Sequence, residues 1–132
     1  MINAVVALIT NDFYKEEKYI LSEKEDSIQL PNWEIDNYKD LENNVKKHIS
    51  SDIFMDNKLS NGYINPKFIS INDANISKLF KNSDKSLYFL YGCICPKLSI
   101  KSTNLFWKSF DIFDPSIQTE LGIINEVISK TI

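Results

Sequence analysis

The feature that most constrains this chain is the run Ile2 to Thr10, INAVVALIT. It is β-branched and apolar almost throughout, and such a run reads as a buried strand. A buried strand needs partners along its edges and other elements over it. The 132 residues have the size of one ordinary domain, taken as 1–132, and suffice for a single core without disulfides or a structural metal.

Further elements follow along the chain. Asn11-Asp12 is a turn signal, and Lys18 to Ser22 reads as a second strand returning through a hairpin-like connection. Glu23 to Asp26 is an exposed charged loop. Ile28 to Leu30 runs into Pro31, which interrupts regular pairing. Asp40 is placed to cap a helix in which Leu41, Val45, Ile49 and Ile53 form one apolar stripe. Glu42 and Lys46 support that helix at i, i+4, and Lys46, Lys47 and His48 suit the negative end of its dipole. Tyr63 to Ile71 alternates around Pro66 as an edge-prone strand. Asn72 to Lys81 predicts a short helix with Ile76, Leu79 and Phe80 inward. Ser86 to Cys95 predicts a central strand, with shorter strands at Leu98 to Ile100 and Leu105 to Phe110. Asp114-Pro115 opens a last helix whose apolar face is Ile117, Leu121, Ile124 and Ile128. Mixed strands with helices packed on the sheet faces make an α/β sandwich.

Charge and cysteines narrow the function classes. The net charge is -3, and all fifteen basic residues are lysine. Without arginine the chain lacks the usual bidentate ligand for phosphates and guanine edges, so specific nucleic-acid binding is not favoured. Cys93 and Cys95, at i, i+2, cannot easily close a strain-free disulfide within one strand, and no further cysteine exists. A reducing, cytoplasmic setting in a cell or an infected host cell is the simpler expectation. No apolar run approaches the length of a membrane span, and Met1-Ile2-Asn3 lacks the charged start of a signal peptide.

Leu30 to Asp52, LPNWEIDNYKDLENNVKKHISSD, resembles the box region of the Nudix hydrolase superfamily. Leu30-Pro31 matches the entry to the box, Asp36 an acidic loop position, and Leu41, Val45 and Ile49 the apolar pattern of the box helix. INAVVALIT and KYILSEK resemble the opening strands of that family, SLYFLYGC its central strand, and NLFWKSFDIFDPSIQTELGIINEVI its closing segment. The resemblance implies a Nudix-like α/β/α sandwich with a mixed sheet, a box-type helix over about 40–53 and a C-terminal helix over about 115–130. In active members, carboxylates on one face of the box helix bind Mg²⁺, which neutralises a diphosphate and activates water. Aligned without gaps, this chain places Asn32 and Trp33 at the two glycines and Lys39 at the loop glutamate. Lys47-His48 stands at the Arg-Glu pair, Ser51-Asp52 at the Glu-Glu pair and Phe54 at the closing glycine. Only Asp52 keeps a carboxylate, so no resident metal is expected.

Other constellations are weaker. His48, the single histidine, has Asp52 at i+4 but no nucleophile in sequence; it reads as a surface residue near a helix end. Cys93 and Cys95 lack the four ligands of a zinc site and read as packing. Glu16-Glu17 and the Glu23–Asp26 loop could supply displaced metal ligands, but read first as solvated charge. Glu120 and Glu126 on the last helix are the better candidates for relocated metal ligands. Trp33, Trp107, Phe106, Phe110 and Phe113 read first as core, and otherwise as stacking platforms or anchors for a partner.

The expectation is a catalytically inactive Nudix-fold protein, without cofactor, acting as a binding or structural accessory subunit of a larger assembly. A phage or other viral origin and a homodimer fit the same reading. One alternative is a Mg²⁺-dependent hydrolase of nucleoside diphosphate-linked substrates with relocated ligands. The other is a non-catalytic nucleotide or RNA binder.

Overall fold

The computed structural model describes residues 2–12, 17–35, 39–56, 62, 64–71, 74–80, 87–110 and 118–131. Strand β1 (Ile2–Asp12) is the axis of a six-stranded mixed sheet. On one edge it pairs in parallel with β5 (Leu87–Ile94), from Ile2 opposite Leu87 to Ile9 opposite Ile94. Its other edge is shared. The first half pairs antiparallel with β3 (Asn32–Ile35) and the last four residues pair antiparallel with β2 (Glu17–Ser22). Strand β4 (Lys67–Ile69) adds to β5, and β6 (Phe106–Ser109) adds to β2.

The opening run is apolar at both parities because both sheet faces are covered. Val5, Ala7 and Ile9 belong to one core with Leu30, Leu90, Ile123, Ile124 and Val127. Ala4, Val6 and Leu8 belong to the other, with Val45, Ile49, Ile53, Phe54 and Cys93. None of the six β1 residues exceeds 1% exposure, and each large aliphatic so buried contributes about 1.5–3 kcal/mol. The first core is capped by helix α2 (Gln118–Thr131), and the second by helix α1 (Leu41–His48), which continues into a π turn over Ile49–Ile53. The chain is therefore a mixed α/β structure with one of these helices on each face of its sheet. None of the described helices is long and apolar enough to cross a membrane.

Gly92 sets how closely α2 approaches. A Cβ there would collide with the Thr131 hydroxyl and meet Thr131 Cβ at 3.0 Å.

Several local expectations need correction. Asp40 does not cap α1 through its side chain. It sits in the left-handed region (φ 56°, ψ 49°), its carboxylate accepts from Asn43 Nδ2 at 2.7 Å, and its backbone carbonyl accepts from the Asn44 N–H. The apolar stripe of α1 is real, yet the last turn widens to π geometry, so the regular helix ends at His48. Pro31 does not end pairing: its carbonyl accepts the Val6 N–H, and β3 begins one residue later. Leu98 to Ile100 forms no strand; Ile100 makes only an isolated bridge to Phe54. The helix at 72–81 is a 3-10 turn over Ala74–Leu79, with Ile76, Leu79 and Phe80 buried as expected. The strand at 63–71 contracts to β4 at the sheet edge, where proline cannot continue a ladder. Asp36, Phe113, Asp114, Pro115 and Ile117 lie outside the described residues.

Candidate functional site

The shared edge of β1 creates the site. Because β2 and β3 take different halves of one edge, they part, and α1 with its π turn lies over the opening. Two hollows result, with Trp33 of β3 forming a wall of both. The smaller, about 250 Å³, is lined by Ala4, Trp33, Glu34, Ile35, Asn44, Val45 and His48. The larger, about 370 Å³, is bounded by Glu23 and Pro31, by Asn32 and Trp33, by Asp52 and Ile53, and by Ser102, Asn104 and Leu105.

Helix periodicity brings His48 and Asp52 together. His48 Nδ1 lies 3.0 Å from Asp52 Oδ2, the protonated nitrogen donating to the carboxylate. With side chains 48% and 52% exposed, the pair contributes at most about 1 kcal/mol to stability. The His48 ring stacks on Trp33, with centroids 5.8 Å apart and planes 22° from parallel. An imidazole, an indole and a carboxylate thus form one continuous surface between the hollows. Asp52 lies within the π turn, a geometry rare in helices and often found at functional positions.

The remaining box-type positions do not converge there. Lys39 and Lys47 are exposed and line neither hollow. Ser51 is exposed, and its carbonyl accepts from Lys101 Nζ at 2.7 Å. The Lys101 backbone N–H donates to the Ile53 carbonyl at 2.7 Å, so this lysine holds the π turn at its middle residue and at its last. Its ammonium satisfies a helix-terminal carbonyl, a role suited to positive charge. Asn32 and Trp33 are in extended pairing with β1, and Phe54 is extended (φ -96°, ψ 146°) and buried. Asp40 is the one described non-glycine residue with positive φ, so none of these three positions demands a glycine backbone.

Glu120 and Glu126 are on α2, across the sheet from Asp52. Glu126 pairs with Lys130 at 3.4 Å, and Glu120 Oε2 is buried without a hydrogen-bond partner. Neither can complete a ligand set with Asp52 through an intervening sheet. Asp52 and Glu23 do share the larger hollow. Among the described residues, no three His, Cys, Asp or Glu side chains group to hold a metal ion.

The aromatic candidates separate by environment. Trp107 Nε1 donates to the Leu98 carbonyl at 3.0 Å, and its ring stacks on Phe54 at 6.3 Å, packed against the α1-side core. Phe110 is buried in the other core, and Phe106 is half-buried on β6. Among the four described candidates, Trp33 alone lines the hollows.

Cys93 and Cys95 are free and buried on the α1 side. A hydrogen bond from Cys95 lowers the Cys93 thiol against an opposing push from burial, with help from the Asn65 backbone and Lys46. The same hydrogen bond, then burial, then repulsion from Cys93 push the Cys95 thiol well up. Two enclosed thiols held against each other suit packing better than nucleophilic attack, which needs an accessible thiolate.

In the sequence Glu23 belongs to a loop that could supply displaced metal ligands but reads first as solvated charge. Glu23 Oε2 accepts from Gln29 Nε2 at 3.1 Å beside the larger hollow. Glu34, Ser102 and Asn104 had no signal at all, since only the parting of β2 and β3 brings their segments together. No protein-family profile, curated protein or solved structure matches this chain.

Proposed function

We propose that this chain is a Nudix-like domain without hydrolase activity, serving as an accessory subunit that binds a protein partner through the Trp33 cleft. The observation that carries the reading is the fate of the helix beside the cleft. Where a hydrolase of this kind needs several carboxylates to cage Mg²⁺, the box-type positions offer Asp52 alone, already engaged by His48. Across the same turn a lysine ammonium holds the Ser51 carbonyl. A hard dication needs a cage of oxygens, and this turn supplies one anionic group between two nitrogen donors.

The cleft also disfavours a bare polyphosphate or nucleic acid. Two carboxylates line it (Glu23 and Asp52), and no described lysine does. Phosphate recognition depends on the opposite balance. An indole bordering a shallow, half-apolar depression is instead a common anchor for protein partners.

The test is isothermal titration of the full chain with Mg²⁺ and Mn²⁺, beside a phosphate-release assay on nucleoside diphosphate-linked substrates. The expected result is no site-specific metal binding and no turnover. Metal-dependent turnover that disappears in Asp52→Asn would overturn the proposal. One observation favours the hydrolase as a second reading: Glu23 and Asp52 face the same hollow. If that reading holds, Glu23→Gln and Asp52→Asn each abolish turnover, whereas Glu120→Gln, beyond the sheet, leaves it intact.

A further inference from the structure

We infer that the Trp33 cleft receives an arginine side chain from an extended basic segment of the partner, a conclusion that rests on the protein-binding reading above. Three independent properties select this ligand.

The first is size. At about 250 and 370 Å³, the hollows fall at or below the low end of small-molecule sites, which run from about 300 to 1,000 Å³. Each suits a long side chain better than a dinucleotide. The second is charge. Asp52 and Glu23 line the larger hollow, with no described lysine on either wall. The His48 contact uses Asp52 Oδ2, leaving Oδ1 to accept from a ligand. The third is the aromatic wall. The Trp33 indole, oriented by His48 on one side, offers the ring system most attractive to a cation.

Arginine uses all three features together. Its planar guanidinium stacks on an indole while its edge donates N–H bonds to a carboxylate, and it sheds water more readily than an ammonium. Asn32, Ser102 and Asn104 border the larger hollow, and their amide and hydroxyl oxygens can accept the remaining donors. These 132 residues contain no arginine, so self-association of this domain through the cleft has only lysine to offer. The half-sharing of β1 leaves the cleft open along β3, so the segment carrying the arginine lies extended over the Trp33 wall.

The experiment records ¹H–¹⁵N spectra of the full chain during titration with two blocked peptides. Both are short and Gly/Ser-flanked, and they differ only in a central arginine or citrulline. The arginine peptide is expected to move the Trp33 indole N–H signal, while the Trp107 signal, hydrogen-bonded inside the protein, stays in place. Citrulline keeps the shape and loses the charge, and is expected to bind at least ten-fold more weakly. Asp52→Asn and Glu23→Gln remove the two charges that line the larger hollow while keeping side-chain shape, each weakening the arginine peptide by about three-fold. Raising the salt concentration weakens it further.

Equal responses to both peptides, no response to arginine, or an affinity indifferent to both carboxylate substitutions each overturn the inference. So does a stronger shift of Trp33 by a nucleoside diphosphate than by the arginine peptide. Metal titration separates this failure from failure of the broader reading. Mg²⁺-dependent turnover refutes the non-catalytic assignment, whereas silence toward both metal and arginine refutes the arginine ligand alone.

Discussion

The two faces of the sheet are built from the same strand and used differently. On the α2 side, Val5, Ala7 and Ile9 meet Ile123, Ile124 and Val127, with Ile76, Leu79 and Phe80 filling the flank. On the α1 side, Ala4, Val6 and Leu8 meet Val45, Ile49 and Ile53 with comparable burial, but the covering is shorter. Helix α1 has eight residues against fourteen in α2, and its last turn is widened. The Trp33 cleft opens where β2 and β3 separate beneath this shorter helix and its widened turn. One face therefore supplies mainly stability, while the other divides its surface between core and contact. The tryptophans mark this division: Trp107 is hydrogen-bonded and packed, and Trp33 borders empty space.

Substitutions can break that contrast, beginning with the largest effect. Ile124→Ala on the α2 side leaves a cavity under a fully buried side chain, and urea denaturation should register a loss of about 3–4 kcal/mol. Trp107→Ala should cost about 3 kcal/mol by the same measurement, since it removes a ring from Phe54 and leaves the Leu98 carbonyl without its donor. Gly92→Ala drives a methyl into Thr131 and should cost about 1–3 kcal/mol. Pairing it with Thr131→Gly should recover most of that loss, and additive effects in the double mutant would argue against the contact. Trp33→Ala should cost only about 1 kcal/mol, within the range of ordinary substitutions, while ligand-induced shifts in the cleft vanish. If Trp33→Ala proves as destabilising as Trp107→Ala, Trp33 is core and the division between the two rings fails.

The smallest effect concerns pH. The Cys95 thiol is pushed up by its bond with Cys93 and by burial, and Tyr91 is pushed up by burial and by Glu42. Both groups keep protons in the folded chain that the unfolded chain releases, above about pH 8.5 for a thiol and about 10 for a phenol. Their contribution to stability is full below those values and is lost as pH rises beyond them. The lowered Cys93 thiol acts in the opposite direction, so the decline is modest. Thermal melting between pH 7 and pH 10 should show it, and Cys95→Ser, which keeps a hydrogen-bonding hydroxyl but does not titrate there, should flatten the thiol portion.

Much of the scaffold was legible because it rests on repeating patterns. The apolar run from Ile2 to Thr10 required a covered strand, and its central position followed from cover on both faces. The stripe Leu41, Val45, Ile49, Ile53 required a helix lying on the sheet, and burial of the last three bears this out. β3 was hidden because Asn32 to Ile35 is short and follows a proline. It becomes a strand only because β1 has an unfilled half-edge whose backbone groups need partners. Leu98 to Ile100 shows the converse, a β-prone triplet without an available edge. The π turn was equally hidden, since it depends on Lys101 holding carbonyls fifty residues earlier in the chain.

For the site, the sequence determined the inventory: one histidine four residues before one aspartate, no arginine, two tryptophans and a helix whose box-type positions keep a single carboxylate. Chemical type and spacing are local properties, so they survive without coordinates. Tertiary structure decided which tryptophan borders a cleft, that Glu23 and Glu34 flank it, and that Glu120 and Glu126 lie beyond reach. Those outcomes depend on how one strand divides its edge between two neighbours and on which sheet face each helix covers. Both are set by long-range pairing and burial, which residue order alone leaves open.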